Sequence, residues 1–283
     1  GPSFVDHIKK YVTWVLNKTL LTASAVIVDI GSNDGTCLKY FKQKGYSVCG
    51  VDPAQKPAEI ANNNGIFTIN HFFDTDVAQD IIDQFGKVDI VTSQNVLAHV
   101  DNLISTFENI YKILKNDGYF VFEIGYFKHV IETKCFDTIY HEHIDYHHAK
   151  PIVSFLNSLG YSVIDISTNK IQGGSLRVLC KNDKKGINLS AVKKFIENEK
   201  KSIFFKNNYL KKWKNKIEKN MNKISNFINK KIKNNKLLIG YGAPTKATLV
   251  LKILKINRNK LKFTIEDNHL KTNKYLPVTG IPI

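Results

Sequence analysis

The sequence predicts an α/β fold: an open sheet wound on both faces by helices, then a helical connector and a second, smaller, incomplete α/β unit. Three observations predict it. Short β-rich apolar runs alternate with stretches of helical apolar spacing. The first run leads into the turn Gly31-Ser32-Asn33-Asp34-Gly35, at the carboxyl end of a strand, where open α/β sheets take their ligands. Residues 188–235 then carry neither glycine nor proline, after which a strand–turn–helix pattern starts afresh. The expected domains are 1–186, 187–236 and 237–283.

In chain order, Phe4, Ile8, Tyr11, Val12, Val15 and Leu16 fall at helical intervals, so residues 4–20 read as an amphipathic lead-in helix. Ala25-Val26-Ile27-Val28-Asp29-Ile30 is a short apolar run of the buried parallel-strand type. Further strands are expected at 46–51 (ending before Asp52), 66–70, 88–93 and 119–124. Helices lie between them, notably at 102–114, which stops before the turn Asn116-Asp117-Gly118. A helix at 149–159 precedes a strand pair, 161–167 and 175–179, joined through Gly173-Gly174. The stretch 188–235 reads as one or two long helices with one buried stripe. Strands at 237–241 and 261–265 open the last unit, and 277–283 is β-like. Gly1-Pro2 reads as a protease-cleavage scar, and the last unit reads as cut short, so a trimmed chain is expected.

Composition narrows the function. With 43% hydrophobic and 11% aromatic residues in 283, a sizeable core is available and global disorder is excluded. Lys and Arg number 41 against 25 Asp and Glu, a formal net charge of +16. The surplus lies largely in 193–236, among asparagines, and reads as a solvated lysine face. No nucleic-acid motif accompanies it, so a small anionic substrate is the expected partner. Cys37, Cys49, Cys135 and Cys180 form no Cys-x-x-Cys pair, as expected of unpaired thiols in a reducing cytoplasm. No signal peptide or membrane-spanning run is found, and the expected location is cytoplasmic.

Two motifs carry chemistry. In the first, Asp29, Gly31, Ser32, Asn33 and Gly35 form a loop with one glycine fewer than a dinucleotide fingerprint and with extra acidic groups, which repel phosphate. Such a loop suits a cofactor with a cationic end and no phosphates, as S-adenosylmethionine has. Asp52, about 20 residues on, stands where an acid accepts hydrogen bonds from ribose hydroxyls. The second is Phe136-Asp137-Thr138-Ile139-Tyr140-His141-Glu142-His143-Ile144, with a phenol, two imidazoles and a carboxylate in four consecutive residues. All are groups that move protons or polarise a carbonyl. His141, His143 and His147 share one face of an extended segment, so a metal site is the alternative at this point. His99 is a second acid/base candidate, weighed against a capping role. Arg177 is a candidate for a substrate phosphate or, preferably, for a carboxylate within the fold. Tyr241-Gly242-Ala243-Pro244-Thr245-Lys246 opens a helix with proline in its first turn, and its N–H groups with Lys246 are a candidate diphosphate cradle.

The first half resembles the class I S-adenosylmethionine-dependent methyltransferases, a Rossmann-like fold. Val28 through Thr36, Asn95-Val96-Leu97-Ala98-His99-Val100-Asp101, the Tyr-His-Glu-His block, Gly173-Gly174-Ser175-Leu176-Arg177 and the loop 240–246 occur in that order. Together they resemble the nucleotide-sugar C-methyltransferases, which act on 4-keto-deoxysugars for branched sugars of polysaccharides or glycosylated products. The resemblance covers nearly the whole chain. It implies enolate chemistry with His143 as base, Tyr140 and Glu142 orienting the sugar, and His99 in the same cleft. It further implies a cofactor site from Asp29, Gly31, Ser32, Asn33, Gly35, Asp52 and Asn95, and a substrate site including Tyr241, Gly242, Lys246 and Arg177. No catalytic metal is implied. The family's N-terminal zinc domain has no counterpart among these cysteines, and His147 stands where an aromatic residue is expected. O-methylation of a sugar hydroxyl is the nearest alternative. A third is a non-catalytic module docking a partner through its basic helix.

Overall fold

The structure, a computed structural model, describes residues 2–170 and 173–283. Gly1, and with it the expected scar, lies outside the described residues, as do Ile171, Gln172 and the side chain of Phe4. The chain begins with α1 (Pro2–Lys18), β1 (Val26–Ile30), α2 (Thr36–Lys42), β2 (Ser47–Val51), α3 (Gln55–Asn63) and β3 (Thr68–Ile69). It continues through α4 (Thr75–Phe85), β4 (Val88–Gln94), α5 (Leu103–Ile113), β5 (Leu114–Gly125), α6 (Phe127–Thr133) and α7 (Ala149–Ser158). Then come β6 (Tyr161–Asn169), β7 (Ser175–Asn182), α8 (Ser190–Lys200), α9 (Tyr209–Lys233), β8 (Gly240–Tyr241), α10 (Ala247–Ile253) and β9 (Thr264–Ile265).

Packing divides the chain into two units, one of Gly1–Phe127 and Ile144–Lys201, the other of Lys128–His143 and Ser202–Ile283. The division differs from the linear one expected from sequence. The lysine-rich stretch is two helices, and they bury their apolar residues in different places. Val192 of α8 joins the core of the first unit, whereas Met221 and Ile228 of α9 pack on the core of the second.

The first unit holds a seven-stranded sheet in the order β3-β2-β1-β4-β5-β7-β6. The strands β1 to β5 run parallel, and β7 is antiparallel to both β5 and β6. Its order reverses between β1 and β4, which sets the ligand-binding crevice at the carboxyl ends of those strands. The two-residue period of a strand sends alternate side chains to opposite faces. Val28, Ile30, Phe120 and Phe122 join one core cluster, while Ile27, Ile90 and Val121 join the other with Ile8, Tyr11, Val12 and Val15 of α1. Phe107 of α5 packs edge-on against Phe120 and Phe122, with centroids 5.4 and 5.9 Å away, a favoured aromatic geometry.

Two local expectations change. Helix α5 runs straight into β5, and Asn116-Asp117-Gly118 lies inside that strand. Asp117 takes a left-handed φ of 66° and the pairing with β4 shifts between Val88 and Ile90, so the turn residues are absorbed as an irregularity of the strand. The strand pair around Gly173-Gly174 does form antiparallel, but β7 is inserted between β6 and β5.

In the second unit, Ala243, Leu254, Ile256, Leu261, Leu276 and Ile281 form the core. Its strands β8 and β9 pair parallel over two residues each, Gly240 with Thr264 and Tyr241 with Ile265. They are shorter than the expected strands 237–241 and 261–265. No helix among the described residues is long and apolar enough to cross a membrane.

Candidate active site

At the switch point of the first unit lies a cavity of about 600 Å³, lined by the loop after β1, the ends of β2 and β4, and the helix α1. Its lining includes Asp29, Gly31, Ser32, Asn33, Asp52, Asn95 and His99 of the expected residues. Backbone hydrogen bonding shapes the loop: Gly31 and Ser32 N–H donate to Val51 O, and Asn33 N–H donates to Asp52 Oδ2 at 2.8 Å. The other oxygen of Asp52 accepts from Ala54 N–H at 2.9 Å. Gly31 has φ 72°, and a Cβ there would collide with Val96 Cγ2. Only glycine meets both conditions. Gly35 has φ 75° and caps α2. Asp34 accepts from Thr36 N–H at 3.1 Å, so the first N–H of that helix is taken by a carboxylate.

Asp29 is a strongly perturbed carboxyl in this lining. It is 3% exposed and accepts from Thr92 Oγ1 at 2.6 Å. Burial pushes its carboxyl up to about 7, the Thr92 hydrogen bond opposing and the charge of Asp52 adding to the rise. The lining carries three carboxylates, Asp29, Asp34 and Asp52, and neither Lys nor Arg. That donor set fits a cationic, phosphate-free cofactor and disfavours a pyrophosphate. Sequence reasoning missed Val5 and Ile8 of α1, and Cys37 and Gln94, which also line the cavity; Gln94 Nε2 donates to Cys37 Sγ at 3.1 Å. The apolar spacing of α1 fixed its buried face without showing what that face covers.

Arg177 is committed elsewhere in this unit. Its Nε donates to the fully buried Glu123 at 2.7 Å. His7 Nε2 and Asn169 Nδ2 hold the same carboxylate at 2.8 and 2.9 Å. The guanidinium also stacks 4.9 Å from Tyr11 and 4.8 Å from Trp14. This corrects its expected place among the substrate-binding residues: Arg177 neutralises a buried carboxylate, which is costly to leave unpaired.

In the second unit, the Tyr-His-Glu-His block follows a 3-10 turn, Phe136–Thr138. His143 Nδ1 lies 2.9 Å from Thr138 O. A carbonyl only accepts, so Nδ1 carries the proton and Nε2 is the basic nitrogen. The Tyr140 ring stands 4.6 Å from the His143 ring, and its hydroxyl donates to Glu142 Oε2 at 3.0 Å. Tyr140, His141 and Glu142 line a cavity of about 710 Å³ together with Lys252, Lys271 and Lys274. Ala243, Pro244 and Thr245 line it too, but Tyr241, Gly242 and Lys246 are not among its lining residues.

The expected diphosphate cradle is therefore corrected. Helix α10 starts only at Ala247, and Ala243 N–H already donates to Glu266 Oε2 at 2.8 Å. Tyr241 is 77% exposed and donates to Asp267 Oδ2 at 2.8 Å, while Lys246 lies 3.9 Å from Asp137 Oδ2. The lysines that do line the cavity come largely from the tail after β9, where no sequence pattern distinguishes them from the other lysines. No group of three His, Cys, Asp or Glu side chains among the described residues is arranged to hold a metal ion.

Comparison with known proteins matches residues 7–166 to a methyltransferase domain family. Residues 170–283 match a family described as the C-methyltransferase C-terminal domain. The C-methyltransferase NovU of Streptomyces niveus is 28% identical over 282 residues, covering 99% of this chain and 67% of that protein. Among solved structures, magnesium protoporphyrin IX methyltransferase of Synechocystis PCC 6803 with bound SAH aligns at 16% identity and TM-score 0.49, over 63% of this chain and 83% of that one. The plantazolicin methyltransferase BpumL in complex with SAH aligns at 15% identity and TM-score 0.46, over 63% and 83%.

Proposed function

This chain belongs to the methyltransferase domain family, and from that premise we propose that it methylates a carbon of a nucleotide-linked 4-keto-deoxysugar. S-adenosylmethionine is the cofactor, and an enolate of the sugar is the nucleophile. The observation that carries the reading is the second unit's cavity, where proton-transfer residues, Tyr140, His141 and Glu142, share a wall with three lysines. An acceptor that is both a carbon acid and an anion suits that lining. The C-methyltransferase description of the second family and the name of the Streptomyces relative support the same reading.

When bound, S-adenosylmethionine supplies an electrophilic methyl on a sulfonium. Asp29, Gly31, Asn33, Asp52 and Asn95 would hold it, the carboxylates matching its positive charge. Carbon beside a ketone is a weak acid, so the chain must supply a base and stabilise the enolate oxygen. His143 takes the proton on Nε2, its Nδ1 proton being held by the Thr138 carbonyl. Tyr140 orients the sugar, and its single hydroxyl proton, given to Glu142 in this structure, turns to the developing oxyanion when the sugar binds. Lys252, Lys271 and Lys274 bind the phosphates as point charges. His99, on the wall of the cofactor cavity, serves as a second donor.

The test is methyl transfer from S-adenosylmethionine to thymidine-diphospho-4-keto-6-deoxyhexose in deuterated water, followed by mass spectrometry. A methylated product, with deuterium appearing beside the keto carbon, is expected. Methylation at oxygen, without carbon-bound deuterium, would replace the enolate reading by alcohol methylation.

A further inference from the structure

The chain passes between its two units three times, at 127–128, 143–144 and 201–202. On the first unit's side of these crossings sits a buried carboxylate, Glu199, only 3% exposed. Its Oε1 accepts from Tyr126 OH at 2.7 Å, two residues before the first crossing. The same oxygen accepts from Ala149 N–H at 2.8 Å, shortly after the second. Oε2 accepts from Lys150 N–H at 3.2 Å and faces His148 Nδ1 at 3.4 Å. Glu199 itself lies three residues before the third crossing.

Local rules do not explain an acid at this position. Glu199 is in the last turn of α8, where its negative charge opposes that helix's dipole. The compensation is remote. The N-cap of α7, His148, makes no side-chain capping bond, and Glu199 satisfies the first two N–H groups of that helix instead. Burial works against its charge, but the bonds from His148, Ala149, Tyr126 and Lys150 outweigh it and hold the carboxyl below its usual range. The neck it holds is paired within itself: Tyr126 bridges His147, and Phe127 N–H donates to His147 O at 2.9 Å.

We propose that Glu199 is a positioning residue for methyl transfer: it fixes, inside the first unit, the neck of the segment that carries Tyr140, Glu142 and His143. The proposal rests on the reading that this segment performs the proton chemistry. Glu199 acts through the backbone from Tyr126 and from Ala149, and does not touch substrate. Within the first unit this one side chain joins residues that flank all three crossings.

Glu199→Gln tests it, since the amide keeps the volume and an oxygen for Tyr126 and Ala149 but removes the charge and the acceptor facing Lys150. Hydrogen–deuterium exchange is expected to accelerate in residues 128–150 and to stay unchanged in β1 and β4. Misplacement by about 1 Å costs up to roughly 100-fold in rate, so kcat is expected to fall about tenfold, with the affinity for S-adenosylmethionine held. Tyr126→Phe, which deletes one oxygen, should move both readouts the same way by less. Unchanged exchange in 128–150, or exchange raised uniformly across the sheet, would overturn the proposal; so would an intact kcat. If the unmodified protein transfers no methyl to the keto-sugar, the functional reading fails, while exchange still decides whether Glu199 holds the neck.

Discussion

Replacing Asp29 by Asn should make this protein more stable while weakening its hold on the cofactor. The carboxyl is 3% exposed and titrates near 7 against a reference of 3.8. An acid whose folded pKa is raised binds its proton more tightly in the native state. Its contribution to stability is therefore lost as pH rises from the unfolded value toward the folded one. At about 1.4 kcal/mol per pKa unit, the raised pKa of Asp29 lowers stability, relative to acid pH, by about 4 kcal/mol at pH 8 and by about 2 kcal/mol at pH 5.5, where the folded carboxyl is largely protonated, as upper bounds. Asparagine has nearly the same shape and keeps an oxygen for the Thr92 hydroxyl, so most of that cost should be recovered. Urea unfolding of the ligand-free protein at the two pH values measures it. The variant should be the more stable at pH 8, with an advantage that shrinks by about half at pH 5.5. Calorimetric titration with S-adenosylmethionine should show the opposite: affinity in the parent weakens as pH falls through 7, and the variant binds weakly and without that dependence. No stability gain at pH 8, or a gain independent of pH, would refute the assignment of a charged, desolvated carboxylate here.

Other perturbations test the remaining parts of the site. His143→Ala should lower turnover by about 10²–10⁴, the usual contribution of a general base, with cofactor affinity unchanged by calorimetry; normal turnover would remove His143 as the base. Gly31→Ala should abolish cofactor binding and cost about 1–3 kcal/mol of stability from its left-handed backbone alone, because the added Cβ meets Val96. Thermal unfolding and a binding assay check both effects. Exchanging Lys252 and Lys274 together for Met should raise KM for the nucleotide-sugar at least about tenfold, with a weaker salt dependence. A KM unaffected by the exchange would place the anionic group elsewhere.

The parts of this molecule legible in the sequence are those fixed by neighbours along the chain. The apolar run Ala25-Val26-Ile27-Val28 reads as a buried strand because its period and length admit little else, and Gly31 and Gly35 read as loop glycines because the turn between strand and helix needs left-handed backbone. The 3.6-residue spacing of Ile8, Tyr11, Val12 and Val15 likewise named the buried face of α1. Asp52 stands about 20 residues after the loop, and its two oxygens accept from the N–H groups of Asn33 and Ala54. What tertiary structure decided are pairings across long separations. Whether Arg177 meets a phosphate or Glu123, 54 positions earlier, depends on β7 entering the sheet beside β5, and no local pattern encodes that register. Lys252, Lys271 and Lys274 differ from the solvated lysines of α9 only in lining a cavity. Glu199, at the wrong end of its own helix by local rules, caps another helix 50 residues away. Periodicity and turn chemistry act over a few residues, so they set the elements; which buried charge meets which donor is settled only when the sheet assembles and desolvation forbids leaving either one alone.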